Sequence, residues 1–144
     1  MDIINFALLC GLLAVAYGLF TTTWVLKQDA GTERMQEISG AVREGANAFL
    51  NRQYKTVAMV GAVIFVILFV VLGKFVGIGF VIGAFGSALT GYIGMYVSVR
   101  SNVRTAQGAF TNMAHALKIA FRGGSVTGLL CVGLALLGVA GYYK

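Results

Sequence analysis

The chain has 144 residues, of which 58% are hydrophobic and only 11% charged, with 20 glycines, two cysteines and no proline. Soluble domains carry roughly 25% charge and about 7% glycine, so this composition excludes a water-soluble globular domain, and equally a collagen-like, disordered or disulfide-scaffold chain. A net charge of +6 would suggest nucleic acid in a soluble protein. Here the cations are confined to two stretches beside long apolar runs, the pattern of membrane orientation, and no nucleic-acid partner is expected.

Ile3 to Leu26 is uncharged and about 36 Å long as a helix, enough to cross a hydrocarbon core of roughly 30 Å. It is too long for a signal peptide, and Met1-Asp2 lacks a basic region before it, so it reads as a retained helix. Residues 27–55 form a polar connection in which Met35, Ile38, Val42, Ala46 and Phe49 recur at three- and four-residue steps. That spacing predicts an amphipathic helix running into a second span, Thr56 to Gly73. Lys74 marks a tight connection, and Gly77 to Val99 is a third span. Residues 100–122 are polar again, but Ala114 to Phe121 has helix-forming composition, so the fourth helix starts before its own span, Gly123 to Tyr143. The expected fold is all-α, a polytopic transmembrane bundle of four spans within residues 1–144.

Basic residues set the expected orientation. The first connection carries Lys27, Arg34, Arg43, Arg52 and Lys55, and the third carries Arg100, Arg104, Lys118 and Arg122. The other side has only Lys74 and Lys144, a bias of nine against two. By the positive-inside rule both long connections are cytoplasmic and the N-terminus is outside. The lipid bilayer is the first partner.

The acids are Asp2, Asp29, Glu33, Glu37 and Glu44, and none lies in a span. Carriers of protons or cations need an ionisable group at mid-membrane despite its insertion cost of about 2.5–3.5 kcal/mol. Rotary-ATPase proteolipids and small multidrug exporters match this length, but both rest on a membrane-embedded carboxylate. With His115 as the single histidine, neither a histidine metal cluster nor a Ser-His-Asp triad can be assembled. Arg122-Gly123-Gly124-Ser125-Val126-Thr127-Gly128 lacks the Lys-Ser/Thr ending of a P-loop and has no strand before it. Cys10 and Cys131 lie in apolar runs without metal or disulfide spacing, as packing residues. No catalytic, cofactor-binding or metal-ligating residue is therefore assigned.

Small residues in the third span are more informative. Gly79, Gly83, Ser87 and Gly91 form one stripe, and Gly86, Thr90, Gly94 and Ser98 a second. Such stripes let backbones approach where lipid supplies no hydrophobic drive, which predicts a helix with neighbours on more than one side. Gly11 with Gly18, and Gly124 with Gly128, offer weaker surfaces of the same kind.

The polar connections carry a family resemblance. Met35-Gln36-Glu37-Ile38-Ser39-Gly40-Ala41-Val42-Arg43-Glu44-Gly45-Ala46-Asn47-Ala48-Phe49-Leu50-Asn51-Arg52-Gln53-Tyr54-Lys55-Thr56 resembles the segment entering the second helix of membrane-bound, ion-pumping pyrophosphatases. Gly91-Tyr92-Ile93-Gly94-Met95-Tyr96 through Ala106 resembles the end of that family's third helix and the loop after it. Ala120-Phe121-Arg122-Gly123-Gly124-Ser125-Val126-Thr127-Gly128-Leu129 resembles the start of its fourth. The resemblance implies homodimers of sixteen-helix subunits that hydrolyse pyrophosphate with Mg2+, some with K+, and pump protons or sodium ions outward. It places the first four helices in an outer ring, with the catalytic aspartates on later helices, beyond Lys144. The expectation is an outer-ring scaffold segment, inactive alone, in a cell inner membrane or an acidic organelle membrane. Arg34, Arg43, Arg52, Arg100 and Arg104 are candidates for attracting an anionic substrate, though topology and lipid headgroups explain them equally. The competing expectation is a free-standing four-helix protein acting as a small transporter or assembly factor.

Overall fold

The computed structural model describes residues 3–144; the Met1-Asp2 start, read above as lacking a basic region, lies outside them. Four helices follow in order: α1 (Ile3–Leu26), α2 (Glu33–Val71), α3 (Lys74–Thr111) and α4 (Met113–Tyr143). All four are long and apolar enough to cross a membrane. With no proline to remove an i→i−4 bond, α2 runs unbroken from its amphipathic half into its apolar half. At 39 residues it is about 58 Å long, nearly twice a hydrocarbon core.

Two glycines and one asparagine make the turns. Gly31, at φ +78°, and Gly73, at φ +93°, occupy backbone conformations that side chains disfavour. Between them Thr32 caps α2, its hydroxyl accepting from the Met35 N–H at 3.4 Å. Asn112 alone separates α3 from α4. Its N–H donates to the Gly108 carbonyl, ending α3, while its side-chain oxygen accepts from the His115 N–H at 2.7 Å, starting α4. Residues 100–111, read from sequence as part of a polar connection, are therefore a continuation of α3. They contain no breaker until Asn112 supplies one.

Packing does not follow chain order. Helix α3 meets all three others: α2 packs on it alone, α4 lies between it and α1, and α1, resting mainly on α4, touches it as well but makes no contact with α2. Val25, Val97, Val126 and Leu130, from three helices, form the buried cluster, with Val15, Trp24 and Ile93 packed around it. Small residues set the approach. A Cβ on Gly94 would lie 2.8 Å from both Cγ2 and Oγ1 of Thr127, and one on Gly11 would lie 2.9 Å from Leu137. Gly91 admits the Tyr54 hydroxyl, which donates to the Ala88 carbonyl at 2.7 Å and ties α2 to α3. The expectation of neighbours on more than one side of the third span is met by α2 and α4. Gly83, Gly86, Gly124 and Gly128, however, face open space, so Gly124 and Gly128 do not form the contact surface expected of them. Gly123, one residue earlier, does, against Ser101.

Candidate functional site at the basic end

The end of α1, the first half of α2, the last turns of α3 and the start of α4 meet at the basic end of the bundle. Their carbonyls and cations, rather than any carboxylate cluster, make the site. Arg104 is its hub. Its Nε donates to the Gln28 carbonyl at 3.1 Å, one terminal nitrogen to Leu26 at 3.0 Å, and the other to Arg100 at 2.7 Å. The last carbonyls of a helix lack intrahelical donors and carry partial negative charge, so a guanidinium placed there stops α1 and holds it to α3. Burial, then the nearby Arg100 and Arg43, push the Arg104 guanidinium below its ordinary range. Around it, Gln107 donates to Asp29 at 3.2 Å, Asp29 accepts from the Gly31 N–H at 2.9 Å, and Gln28 donates to the Trp24 carbonyl at 3.1 Å. The link between α1 and α2 is thus fastened to α3.

The five candidate arginines do not act as one surface. Arg34 is paired with Glu37 at 2.6 Å, and Arg104 spends its donors on carbonyls. Arg100 lies 3.5 Å from the centre of the Tyr96 ring. Arg43 and Arg100 line a cavity of about 10 Å³, room for one water, with Asn47, Leu50, Tyr92 and Tyr96. Arg52 stands apart and exposed.

Sequence reasoning gave no role to Trp24, the single tryptophan. In the structure Arg122 sits 4.1 Å and Lys118 5.8 Å from its ring centre. The signal was available: a tryptophan in the last turn of an apolar run, and two cations four residues apart just before another. His115, in the first turn of α4, packs its ring edge toward Gly108. The glycine-rich stretch after Arg122 is helical throughout, which removes the phosphate-loop reading.

Among the described residues no three of His, Cys, Asp and Glu gather to hold a metal ion. Mg2+ demands near-octahedral oxygen ligation, and Asp29 and Glu37 are already engaged with Gly31 and Gln107, and with Arg34. The donor set does not fit Mg2+, and no chemical step is derived through it.

The fold and this end define a multi-pass membrane helix bundle with an ordered basic face. The family described as inorganic H+ pyrophosphatase matches residues 12–144. A K+-insensitive pyrophosphate-energised proton pump of Methanosarcina mazei is 48% identical over 94% of this chain and 20% of its own length. Proton pump 2 of the same description from Moorella thermoacetica is 48% identical over 92% of this chain and 20% of its own. A Clostridium tetani protein, provisionally named a K+-stimulated pyrophosphate-energised sodium pump, is 39% identical over 88% and 19%. The chain belongs to the membrane-bound, ion-translocating pyrophosphatase family, and it spans about a fifth of the length of these relatives.

Proposed function

We propose that this chain is the N-terminal scaffold of a pyrophosphate-energised ion pump. It fixes four helices at the periphery of a larger bundle whose later helices hydrolyse pyrophosphate with Mg2+ and move protons, or sodium ions, outward. The observation that carries this reading is the near-complete match of the chain to one fifth of such pumps, combined with polar side chains spent on holding helices together rather than gathered for chemistry. The whole pump works as a homodimer, and its remaining helices are the scaffold's partners. Both proton and sodium pumps, K+-insensitive and K+-stimulated, are among the relatives; we place this chain with the proton pumps, given its higher identity to them. The membrane is a cell inner membrane, with the basic end cytoplasmic and the N-terminus outside, supported by nine cations against two.

The test has two arms. The chain alone, in proteoliposomes with Mg2+ and pyrophosphate, should release no phosphate above the protein-free rate. Co-expressed with the Methanosarcina mazei pump deleted of the fifth that it matches, it should restore hydrolysis. Activity from the chain alone, or a stable chain that never restores the deleted pump, overturns the scaffold reading.

A further inference from the structure

The α1–α4 seam at the basic end carries cations that no carboxylate among the described residues neutralises. Helices α1 and α4 run antiparallel, with Gly11 against Gly133 and Leu137, and Gly18 against Val126 and Leu130. Continuing that register brings Trp24 level with Arg122 and Lys27 level with Lys118, as the contacts of Trp24 with both α4 cations bear out. Trp24 closes one apolar run, and Arg122 immediately precedes the run that begins at Gly123. This is the depth at which tryptophan rings and basic side chains meet headgroups.

The ring is held in place. It packs against the buried Val25, Val97, Val126 and Leu130 cluster, and Arg104 fixes the backbone that carries it through the Leu26 and Gln28 carbonyls. Lys118 and Arg122 meet no carboxylate, because the single ion pair among the described residues is Arg34 with Glu37. Lys118 is exposed and Arg122 half-buried, so both keep donors available beyond the edge of the ring. A rigid aromatic floor with two uncompensated cations at headgroup depth matches a phosphodiester whose acyl chains continue along the apolar groove below.

We propose that Trp24, Lys118 and Arg122 form a binding site for the phosphate of an anionic phospholipid, with Lys27 as a fourth contributor at its rim. A free phosphate anion would satisfy the same donors. The apolar flank of α1 directly beneath Trp24, with Phe20 one turn and Tyr17 two turns below it exposed, selects the lipid. The inference requires only that the chain sits in a bilayer, and it stands apart from the pump assignment.

Trp24 is the only tryptophan, so its fluorescence reports this site alone. The chain is reconstituted with either phosphatidylglycerol or phosphatidylcholine brominated on the acyl chains, at equal mole fractions in a common host lipid. The readout is the ratio of quenching by the two lipids. The wild type should favour the anionic lipid by up to about five-fold per cation. Lys118→Gln with Arg122→Gln should cut the ratio to no more than the about five-fold that Lys27 alone can supply, while Arg52→Gln with Lys55→Gln, removing equal charge elsewhere, should leave it unchanged. Equal quenching in the wild type overturns the proposal without recourse to any variant. So does a ratio undiminished in K118Q/R122Q, or one that falls equally in R52Q/K55Q, which would mean diffuse surface charge. Soluble glycerol phosphate at matched ionic strength should not compete; if it abolishes the preference, the site takes a free anion and the lipid assignment fails.

Discussion

Replacing Gly94 by alanine tests whether helix approach is set by single missing side chains. The new Cβ would sit 2.8 Å from both Thr127 Cγ2 and Oγ1 and 3.3 Å from Thr127 Cβ. Threonine has only one hydrogen on its Cβ, so every staggered χ1 leaves at least one heavy atom facing the intruder. The side chain cannot swing clear, and α4 itself has to move. Overpacking of this kind costs about 1–3 kcal/mol. Gly83 lies on the same helix with no atom within 4 Å of its would-be Cβ, and Gly83→Ala is the matched reference. Both substitutions gain the same helix propensity, about 1 kcal/mol on soluble scales, and the gain cancels in their difference. Gly94→Ala should therefore be less stable than Gly83→Ala by about 1–3 kcal/mol. The assay is unfolding by SDS titration in mixed micelles, followed by circular dichroism. Coincident midpoints for the two variants would refute the claim that this contact spaces α3 from α4.

Other positions probe other joints. Arg104→Ala removes charged donors from three carbonyls, at about 1.5–3 kcal/mol for a charge-assisted bond, and hydrogen exchange should speed up at residues 24–31 while the middle of α4 stays protected. A guanidinium pushed down by burial favours folding more as pH rises, but only at strongly alkaline pH, so the protection from Arg104 should be constant across the neutral range. Tyr54→Phe deletes the Ala88 bond, worth about 0.5–1.5 kcal/mol, and should widen the distance between spin labels on α2 and α3 without changing that between α1 and α4. Asn112→Ala should cost about 1 kcal/mol through the lost cap of α4, read in the same SDS titration.

The four spans and the fusion of the amphipathic segment with the second span were legible, because lipid imposes a length and water imposes a period. The Asn112 turn was less so. Nothing between Arg100 and Thr111 breaks a helix, yet polarity alone suggests a loop. Which glycines matter was hidden for a different reason. Gly123 and Gly124 are neighbours in sequence, but one meets Ser101 and the other meets nothing, a distinction made by the rotation of α4 against α3. The five arginines looked equivalent as charges; their separate duties depend on which carbonyl, carboxylate or ring lies within reach. Trp24 was passed over because its partners come from the far end of the sequence.

That α1 rests on α4 and not on α2 has a consequence for how the chain is built. Helix α1 finds no support on α2, meets α3 only over a small area around Arg104, and gains its main neighbour once the segment beginning at Met113 has been made, a wait on the order of ten seconds at ordinary synthesis rates. In water a naked apolar helix would aggregate in that interval. In a bilayer lipid tails cover it at no cost, and a topology joining α1 to α4 becomes affordable.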